Sequence, residues 1–232
     1  PPAGQPAADQ FFVVLTWKYP PLALSIRSKT EYMTSKMADL SFLTDHFSVP
    51  AKQLGEPAPG SAEIEQILQA GMSAPDHGGL APFRFLTIQG QARHELARVF
   101  EQATLGRDPA VDEAYLQKQK AKPLRSPLII VVIARIMHNP KIPEIEQILS
   151  AGCVAQHIQL ACRALGYGSI WLTGDNCYDL TVHQALGLDI DERIIGFIYV
   201  GTPQPPLEDK PRNPADAVSS AWEKPQDSEF AI

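Results

Sequence analysis

Two segments of the chain carry unbroken runs of apolar residues, and both are rich in β-branched side chains. Leu128–Ala134 reads LIIVVIA, and Arg193–Val200 reads RIIGFIYV. Continuous rather than alternating apolar residues are typical of a strand that is covered on both faces. The two segments therefore predict central strands, and shorter strands are predicted at Phe83–Ile88 and Ser169–Leu172.

Helical periodicity predicts the remaining elements. The longest helix is predicted over Ile145–Leu165, where apolar residues lie nearly all round, and Gly166 and Gly168 stop it. Such a helix must be buried, either inside the fold or in a subunit interface. Another helix is predicted to begin at a capping Ser61 and to end at Pro75. Further helices are predicted at Ala38–Phe47, Ala92–Ala103, Pro109–Lys120 and Tyr178–Leu186. Helices around a few buried strands predict an α+β fold with one sheet.

Periodic patterning begins at Met37, and we expect one domain over residues 37–214. Pro1–Lys36 mixes Pro, Ala, Gln and Ser around one irregular apolar patch, so we expect a poorly ordered extension. Val49–Gly60 contains three prolines and is predicted to be a loop. The proline-rich segment Thr202–Pro214 is predicted to leave the core, and residues 215–232 form a polar tail.

Composition narrows the class of protein. The 232 residues are 44% hydrophobic and 20% charged, with a formal net charge of -6, which favours a globular domain without a nucleic-acid or anionic-membrane partner. No run reaches the roughly 18 to 20 apolar residues that span a bilayer. Three cysteines without paired spacing suit a reducing compartment, hence the cytosol, and Cys153 and Cys162 are expected to be buried core thiols.

Several common site chemistries lack support in the sequence. Gly166-Tyr167-Gly168 follows a helix instead of joining a strand to a helix, so it does not fit a dinucleotide-binding loop. Asp76-His77 could supply two metal ligands, but nothing nearby completes a site, and we expect no metal. Cys153 could pair with His77 or His157 as a nucleophile, yet no third group is recognisable.

One segment has the character of a ligand site. Ala70–His77 (AGMSAPDH) ends a helix in Ala-Pro and continues through Asp-His into a glycine-containing turn before the strand at Phe83. A helix–strand junction of this kind can present backbone N–H groups and the His77 ring to a planar cofactor. The alternative is a plain helix stop in which Asp76 is a cap, and the spacing by itself leaves both open.

Four blocks resemble the nitroreductase family, most closely its small bacterial NAD(P)H nitroreductase branch. The first is the loop SVPAKQLGEPAP, and the second is AGMSAPDHGGLAPFRF at the helix–strand junction. The third is EQILSAGCVAQHIQLACRALGYGSIW in the long helix, and the fourth is IIGFIYVGTP in the last strand. They occur in the family's order, and the resemblance covers roughly Met37 to Asn213.

The resemblance implies a nitroreductase-like fold, with a central, mostly antiparallel sheet flanked by helices in an intertwined homodimer. It implies non-covalent FMN at the dimer interface, with NAD(P)H as co-substrate. The acceptor would be a small molecule, nitroaromatic, quinone-like or of another kind, reduced by a ping-pong mechanism. Because the flavin carries the chemistry, no side chain is named as catalytic.

Family contacts carry over to particular residues here. The flavin contacts fall on the tripeptide His46-Phe47-Ser48, on the helix end, on the turn after the long helix and on a C-terminal basic pair: His46, Phe47, Ser48, Ser73, His77, Trp171, Leu172, Thr173, Lys210 and Arg212. The nicotinamide contacts fall on the end of the long helix: Ala161, Cys162, Arg163, Ala164, Leu165 and Gly166. Trp171 either flanks the flavin ring or is an ordinary core residue.

The sequence departs from the family at three cationic positions. His46, Phe47 and Ser73 stand where arginine is usual, and arginine makes paired, charge-assisted bonds to phosphate. Lys52, Lys210 and Arg212 are the residues expected to compensate. Two functions therefore remain open, an FMN-dependent NAD(P)H oxidoreductase and a relative that has lost turnover and acts as a sensor or scaffold.

Overall fold

The computed structural model describes residues 40–207 and 211–222 of the chain. The chain divides into two units, Pro1–Phe42 and Leu43–Ile232, and the fold described below belongs to the second. Of the first unit the structure describes residues 40–42 alone. The expectation for Pro1–Lys36 and the position of Lys210 lie outside the described residues.

The described residues form helices and strands in mixed order. The helices are α1 (Ser41–Thr44), α2 (Ser61–Gly71), α3 (Gln91–Arg107), α4 (Glu113–Lys120), α5 (Glu144–Ala164) and α6 (Leu180–Ala185). The strands are β1 (Leu54–Gly55), β2 (Phe83–Gln89), β3 (Leu128–Arg135), β4 (Gly168–Leu172) and β5 (Glu192–Pro203). Short 3₁₀ turns lie at Ala51–Gln53, His77–Gly79, Lys122–Leu124, Asp175–Cys177 and Ala215–Ala217.

The five strands form one sheet in which every pairing is antiparallel. The order is β1-β5-β3-β2, and β4 also pairs with β5. β5 can pair with three strands because it is 12 residues long: its last residues meet β1, and its middle lies between β3 and β4. The expected α+β class and mostly antiparallel sheet are confirmed.

β3 is buried on both faces, as its continuous apolar sequence predicts. Its seven residues from Leu128 to Ala134 are 0% exposed. Alternate side chains enter different core clusters, because successive residues of a strand point to opposite faces. Ile129 packs with Phe100 of α3 on one face, whereas Ile130 packs with Ile158 of α5 on the other.

Several helix predictions need correction. Within the described part of Ala38–Phe47, only Ser41–Thr44 is helical. Ser61 is the first residue of α2, and Gly60 occupies the cap, where its N–H donates to Glu63 Oε2 at 2.8 Å. Glu63 therefore caps the start of α2 by accepting a terminal N–H, a role that was expected of Ser61.

One cysteine of the long helix and the proline-rich segment also differ from expectation. Within one chain α5 is not covered all round: Ile145 and Leu149 are 58% and 60% exposed, and Cys153 is exposed as well, so burial of this face in a subunit interface stays a prediction. The prediction that Cys153 is a core thiol is therefore wrong, whereas Cys162 is fully buried. Thr202 and Pro203 still belong to β5 and pair with β1, so the chain leaves the sheet later than predicted.

A buried ion pair closes the far end of the sheet. Glu192, 5% exposed at the start of β5, accepts bonds from Arg84 Nε and Nη2 of β2, each 2.7 Å long. Burial raises the pKa of the Glu192 carboxyl, but the bonds from Arg84 and the Asp189 N–H, with the charges of Arg84 and Arg135, outweigh burial and leave the pKa lowered. The pair is thus ionised at neutral pH.

Replacing Arg84 by Met removes the two shortest bonds to this buried carboxylate and leaves it with the Asp189 N–H and the more distant Arg135, so we expect the free energy of unfolding at pH 7 to fall by about 3 kcal/mol. The control is the double variant Arg84→Met/Glu192→Leu, which should regain most of the loss in urea denaturation. Because the folded pKa lies below the unfolded one, the wild type loses this contribution as pH falls below about 4.5. Equal stability of the single and double variants would contradict the assignment.

Candidate functional site

A pocket of about 220 Å³ lies where the chain segment before β1 meets the turn between α5 and β4. Its walls combine the tripeptide region, the end of α5, the start of β4 and the end of β5: Asp45, His46, Phe47, Val49, Arg163, Gly166, Tyr167, Gly168, Ser169, Pro203 and Leu207. Two regions predicted separately, the tripeptide and the end of the long helix, therefore meet at one pocket.

A close backbone approach at Gly168 holds the two sides of the pocket together. The Val49 N–H donates to the Ser169 carbonyl oxygen at 3.0 Å, so the segment runs along the start of β4. A Cβ at Gly168 would lie 2.8 Å from Leu54 Cδ2 and 2.9 Å from Val49 Cγ2. Real Cβ atoms essentially never approach so closely, so a side chain at residue 168 would force Leu54 and Val49 to shift.

Phe47 anchors the tripeptide by packing. Its ring is half-buried against the core cluster on the α3 side of the sheet. Phenylalanine cannot bind phosphate, but here it fixes the backbone that presents its neighbours. His46 and Ser48 on either side of it are half-buried, and His46 lines the pocket.

The pocket is electrically positive around His46. Arg163, in the last turn of α5, lines it, and Arg212 Nη2 donates a hydrogen bond to the His46 carbonyl oxygen. Burial, and then the charges of Arg163 and Arg212, lower the pKa of the His46 imidazole below its usual value. The ring is therefore neutral at pH 7, because burial and the two neighbouring guanidinium groups both disfavour a third positive charge.

The imidazole also has an unsatisfied nitrogen. Among the described residues, His46 Nδ1 is buried without a hydrogen-bond partner. A buried polar atom in this state costs free energy and calls for an explanation, such as a missing ligand. Two arginines beside an unpaired imidazole nitrogen form a donor set that suits an oxyanion, so these residues fit the phosphate end of FMN.

A second group of predicted residues lies along the junction of α2 and α5. Ser73 Oγ donates to the Ala70 carbonyl oxygen at 2.7 Å and lies 3.1 Å from His157 Nδ1. His77 Nδ1 lies 2.6 Å from Glu146 Oε2 in an exposed pair. Asp76 does not cap a helix: its Oδ2 accepts the Ala81 N–H at 2.7 Å and closes the turn. We call Ser73, His77, Glu146 and His157 the junction cluster.

The His77–Glu146 end of the junction cluster is far from the pocket within one chain, whereas Ser73 and His157 lie nearer to it. Glu146 and Arg163 both lie on α5, and their 17-residue separation corresponds to about 25 Å of helix. The pocket lining contains neither Ser73 nor His77. One chain therefore does not bring the two predicted halves of a flavin site together at this pocket.

Trp171 packs as a core residue. Its half-buried ring joins the cluster on the α5 side of the sheet, and Nε1 donates to the Ile195 carbonyl oxygen at 3.1 Å. The indole lies directly over Gly196, where a Cβ would come within 2.0 Å of Nε1. Leu172 packs on the opposite face of the sheet, and Thr173 is exposed.

The remaining predicted residues fall into different environments. Cys162 is fully buried, which raises the pKa of its thiol to about 12, so the thiol is closed to a substrate. Ala161 packs against the same core, whereas Ala164 and Leu165 are exposed. Lys52 is exposed in the 3₁₀ turn after Pro50 and does not line the pocket.

Two wider searches concern the described part of the chain. There, no group of three or more His, Cys, Asp or Glu side chains is placed to hold a metal ion. None of the described helices combines the length and apolar character needed to cross a membrane.

An antiparallel sheet covered by helices on both faces defines an α+β protein. The model of the nitroreductase family matches residues 54–202, and the chain belongs to this family. It is 40% identical over 154 residues to the Escherichia coli (strain K12) protein "Putative NAD(P)H nitroreductase YdjA", an alignment that covers 66% of this chain and 83% of that one. A Haemophilus influenzae relative of the same description is 34% identical over 152 residues, covering 65% and 82%.

Solved structures share the fold at lower identity. The nitroreductase-like family protein from Bacillus cereus superimposes with a TM-score of 0.68 at 21% identity, covering 83% of this chain and 100% of that one. The FMN-dependent nitroreductase from Clostridium difficile gives a TM-score of 0.55 at 22% identity, covering 77% and 94%. These two likenesses establish the fold.

Contact with Trp171 makes Gly196 a sensitive position. We expect Gly196→Ala to lower the free energy of unfolding by about 1 to 3 kcal/mol, because the new methyl group displaces a packed indole. The matched control is Gly106→Ala in α3, where no atom lies within 4 Å of the added Cβ. That change should stabilise the helix by about 0.5 to 1 kcal/mol. Urea denaturation measures both, and similar values for the two variants would show that Trp171 is not packed as described.

Proposed function

We propose that the chain is an FMN-dependent oxidoreductase that passes reducing equivalents from NAD(P)H to a small acceptor such as a nitroaromatic or quinone-like compound. The observation that carries the proposal is the pocket at His46, where two arginines and an unpaired imidazole nitrogen suit a phosphate group. The nitroreductase family and the NAD(P)H nitroreductase relatives supply the class of reaction.

When bound, FMN supplies the hydride chemistry, and the residues of the protein bind and orient it. Arg163, Arg212 and His46 would hold the phosphate. Phe47 and the Gly168 contact keep that end of the site rigid. The thiols of Cys162 and Cys177 are buried and have pKa values raised to about 12 and about 11, so neither competes as a nucleophile.

The site is proposed to be completed by a second copy of the chain. The pocket's 220 Å³ is below the roughly 300 to 1,000 Å³ typical of sites that enclose a whole cofactor. His77, which contacts Glu146, lies about 25 Å along α5 from Arg163 and cannot supply the missing wall from the same chain. Exposed Ile145 and Leu149, one turn apart on α5, provide an apolar surface on which the copies could pair.

The same open site would serve both substrates in turn, because FMN takes up hydride from NAD(P)H and then passes it to the acceptor. NAD(P)H would bind, transfer its hydride and leave before the acceptor enters. This order predicts ping-pong kinetics.

The alternative function is that of a relative that has lost turnover. Its support is the absence of arginine at the three positions where the family usually has one. Ser73 is engaged with Ala70 and His157 in the junction cluster, and Phe47 is a packing residue, so neither replaces the lost charge. Arg163 does restore a guanidinium to the pocket. Retention of this cationic group favours the oxidoreductase.

Purified protein supplied with FMN should show a bound-flavin absorbance near ~450 nm that NADH or NADPH bleaches and an added quinone restores. Initial rates at varied concentrations of both substrates should give parallel double-reciprocal lines. Free FMN with the same nucleotide, measured without protein, is the control. Protein that takes up no flavin would overturn the proposal, and intersecting lines would overturn the ping-pong order.

The dimer has a separate test at Leu149. Leu149→Glu places a charge on the exposed apolar face of α5, so we expect light scattering to show monomers and FMN binding to weaken by at least about tenfold. Leu105→Glu is the matched control, since Leu105 is 40% exposed on α3. A Leu149→Glu variant that remains dimeric would show that this face is not the interface.

A further inference from the structure

The tripeptide His46-Phe47-Ser48 lacks the arginine of the family pattern, but Arg163 supplies a positive charge to the same pocket. Arg163 belongs to the stretch expected to contact nicotinamide, but the structure places it in the wall that contains His46. It lies in the last turn of α5, just before Gly166 reverses the chain with a φ of +84°. In this chain the positive charge therefore comes from α5, whereas in the family pattern it comes from the tripeptide.

Building on the proposed function, we propose that Arg163 replaces the missing tripeptide arginine as a ligand of the flavin phosphate, and that His46 takes up a proton when the phosphate binds. The helix end supports the first part, because a cation in the last turn also interacts favourably with the helix dipole and so stays in place. The buried Nδ1 supports the second, because it has no hydrogen-bond partner among the described residues.

Charge balance explains why His46 should take up a proton when the phosphate binds. Among the described residues, the charged and titratable groups around His46 are Asp45 beside it in the chain, Tyr167 after α5, Arg163 and Arg212. Tyr167 is engaged elsewhere, since its hydroxyl donates to Glu63 Oε2 at 2.8 Å. Arg163 has a further interaction of its own, so the two guanidinium groups and the Asp45 carboxylate leave at most one net positive charge among the described groups while His46 is neutral.

A phosphate monoester carries about -1.5 to -2 charges at pH 7, more than that net charge neutralises. Burial, and then the charges of the two arginines, lower the pKa of the ligand-free imidazole and keep the ring neutral. A bound dianion would reverse this field and favour the protonated ring, whose Nδ1–H could then donate to a phosphate oxygen. Proton uptake is therefore expected at pH values above the ligand-free pKa of His46.

Comparison of FMN with riboflavin isolates the phosphate, because riboflavin carries the same ring and ribityl chain without it. Fluorescence titration should show that the wild type prefers FMN. Arg163→Gln should weaken FMN binding by about 10- to 100-fold and change riboflavin binding less than about twofold. Arg98→Gln, an exposed arginine paired with Glu95 on α3, is the matched control and should bind both flavins as the wild type does.

Calorimetry in two buffers of different ionisation enthalpy measures the proton. FMN binding by the wild type at pH 7 should take up part of a proton, and riboflavin binding should not. His46→Asn, which keeps a polar group near Nδ1 but does not titrate, should lose this uptake. The FMN affinity of the wild type relative to His46→Asn should fall from pH 6 to pH 8, and the phosphate's own titration cancels in that ratio.

Each outcome tests a different part of the proposal. If Arg163→Gln binds FMN as tightly as the wild type, or if the wild type binds FMN and riboflavin equally, the role of Arg163 is overturned although the flavin enzyme stands. Equal proton uptake by the wild type and His46→Asn overturns the role of His46. If the wild type binds neither flavin, it is the proposed function that fails. Unchanged riboflavin binding by Arg163→Gln shows that the variant is folded.

Discussion

The burial of β3 on both faces is the constraint on which the rest of the structure depends. A strand whose side chains are all excluded from water needs a covering layer above and below the sheet. α3 provides one layer, and α5 provides the other through Val154 and Ile158. Because α5 has to cross the sheet, its two ends reach different places: Glu146 meets His77 at one end, and Arg163 enters the pocket at the other.

The candidate site follows from where the chain turns after crossing the sheet. Gly166 ends α5, and Gly168 lets β4 lie against Val49 and Leu54 at the edge of the sheet. His46 lines the pocket beside this contact, where the charges of Arg163 and Arg212 act on it and its Nδ1 has no partner among the described residues. A neutral, half-buried ring near positive side chains is suited to an anionic ligand, which links the packing of the core to the proposed phosphate binding.

The fold was largely predictable because its signals are local. Unbroken apolar runs identified β3 and most of β5, and helical spacing identified α5 to within one residue at each end. The burial of α5 was harder, because apolar composition does not say that Ile145 and Leu149 stay exposed. The resemblance indicated His46 and Arg212, but the place of Arg163 in the same pocket depends on the turn at Gly166 and on the long-range contact at Gly168, and neither is visible in local sequence.

A flavin site shared between two chains, with Arg163 from one and His77 from the other, is tested most directly by mixing two impaired variants. Arg163→Gln and His77→Ala chains, differently tagged and purified as a heterodimer, would place both lesions in one site and leave the other site intact. The expected result is about one tightly bound FMN per heterodimer, although each parent homodimer binds weakly. If both halves came from the same chain, each site would carry one lesion, and a heterodimer that binds FMN as weakly as its parents would contradict the shared site.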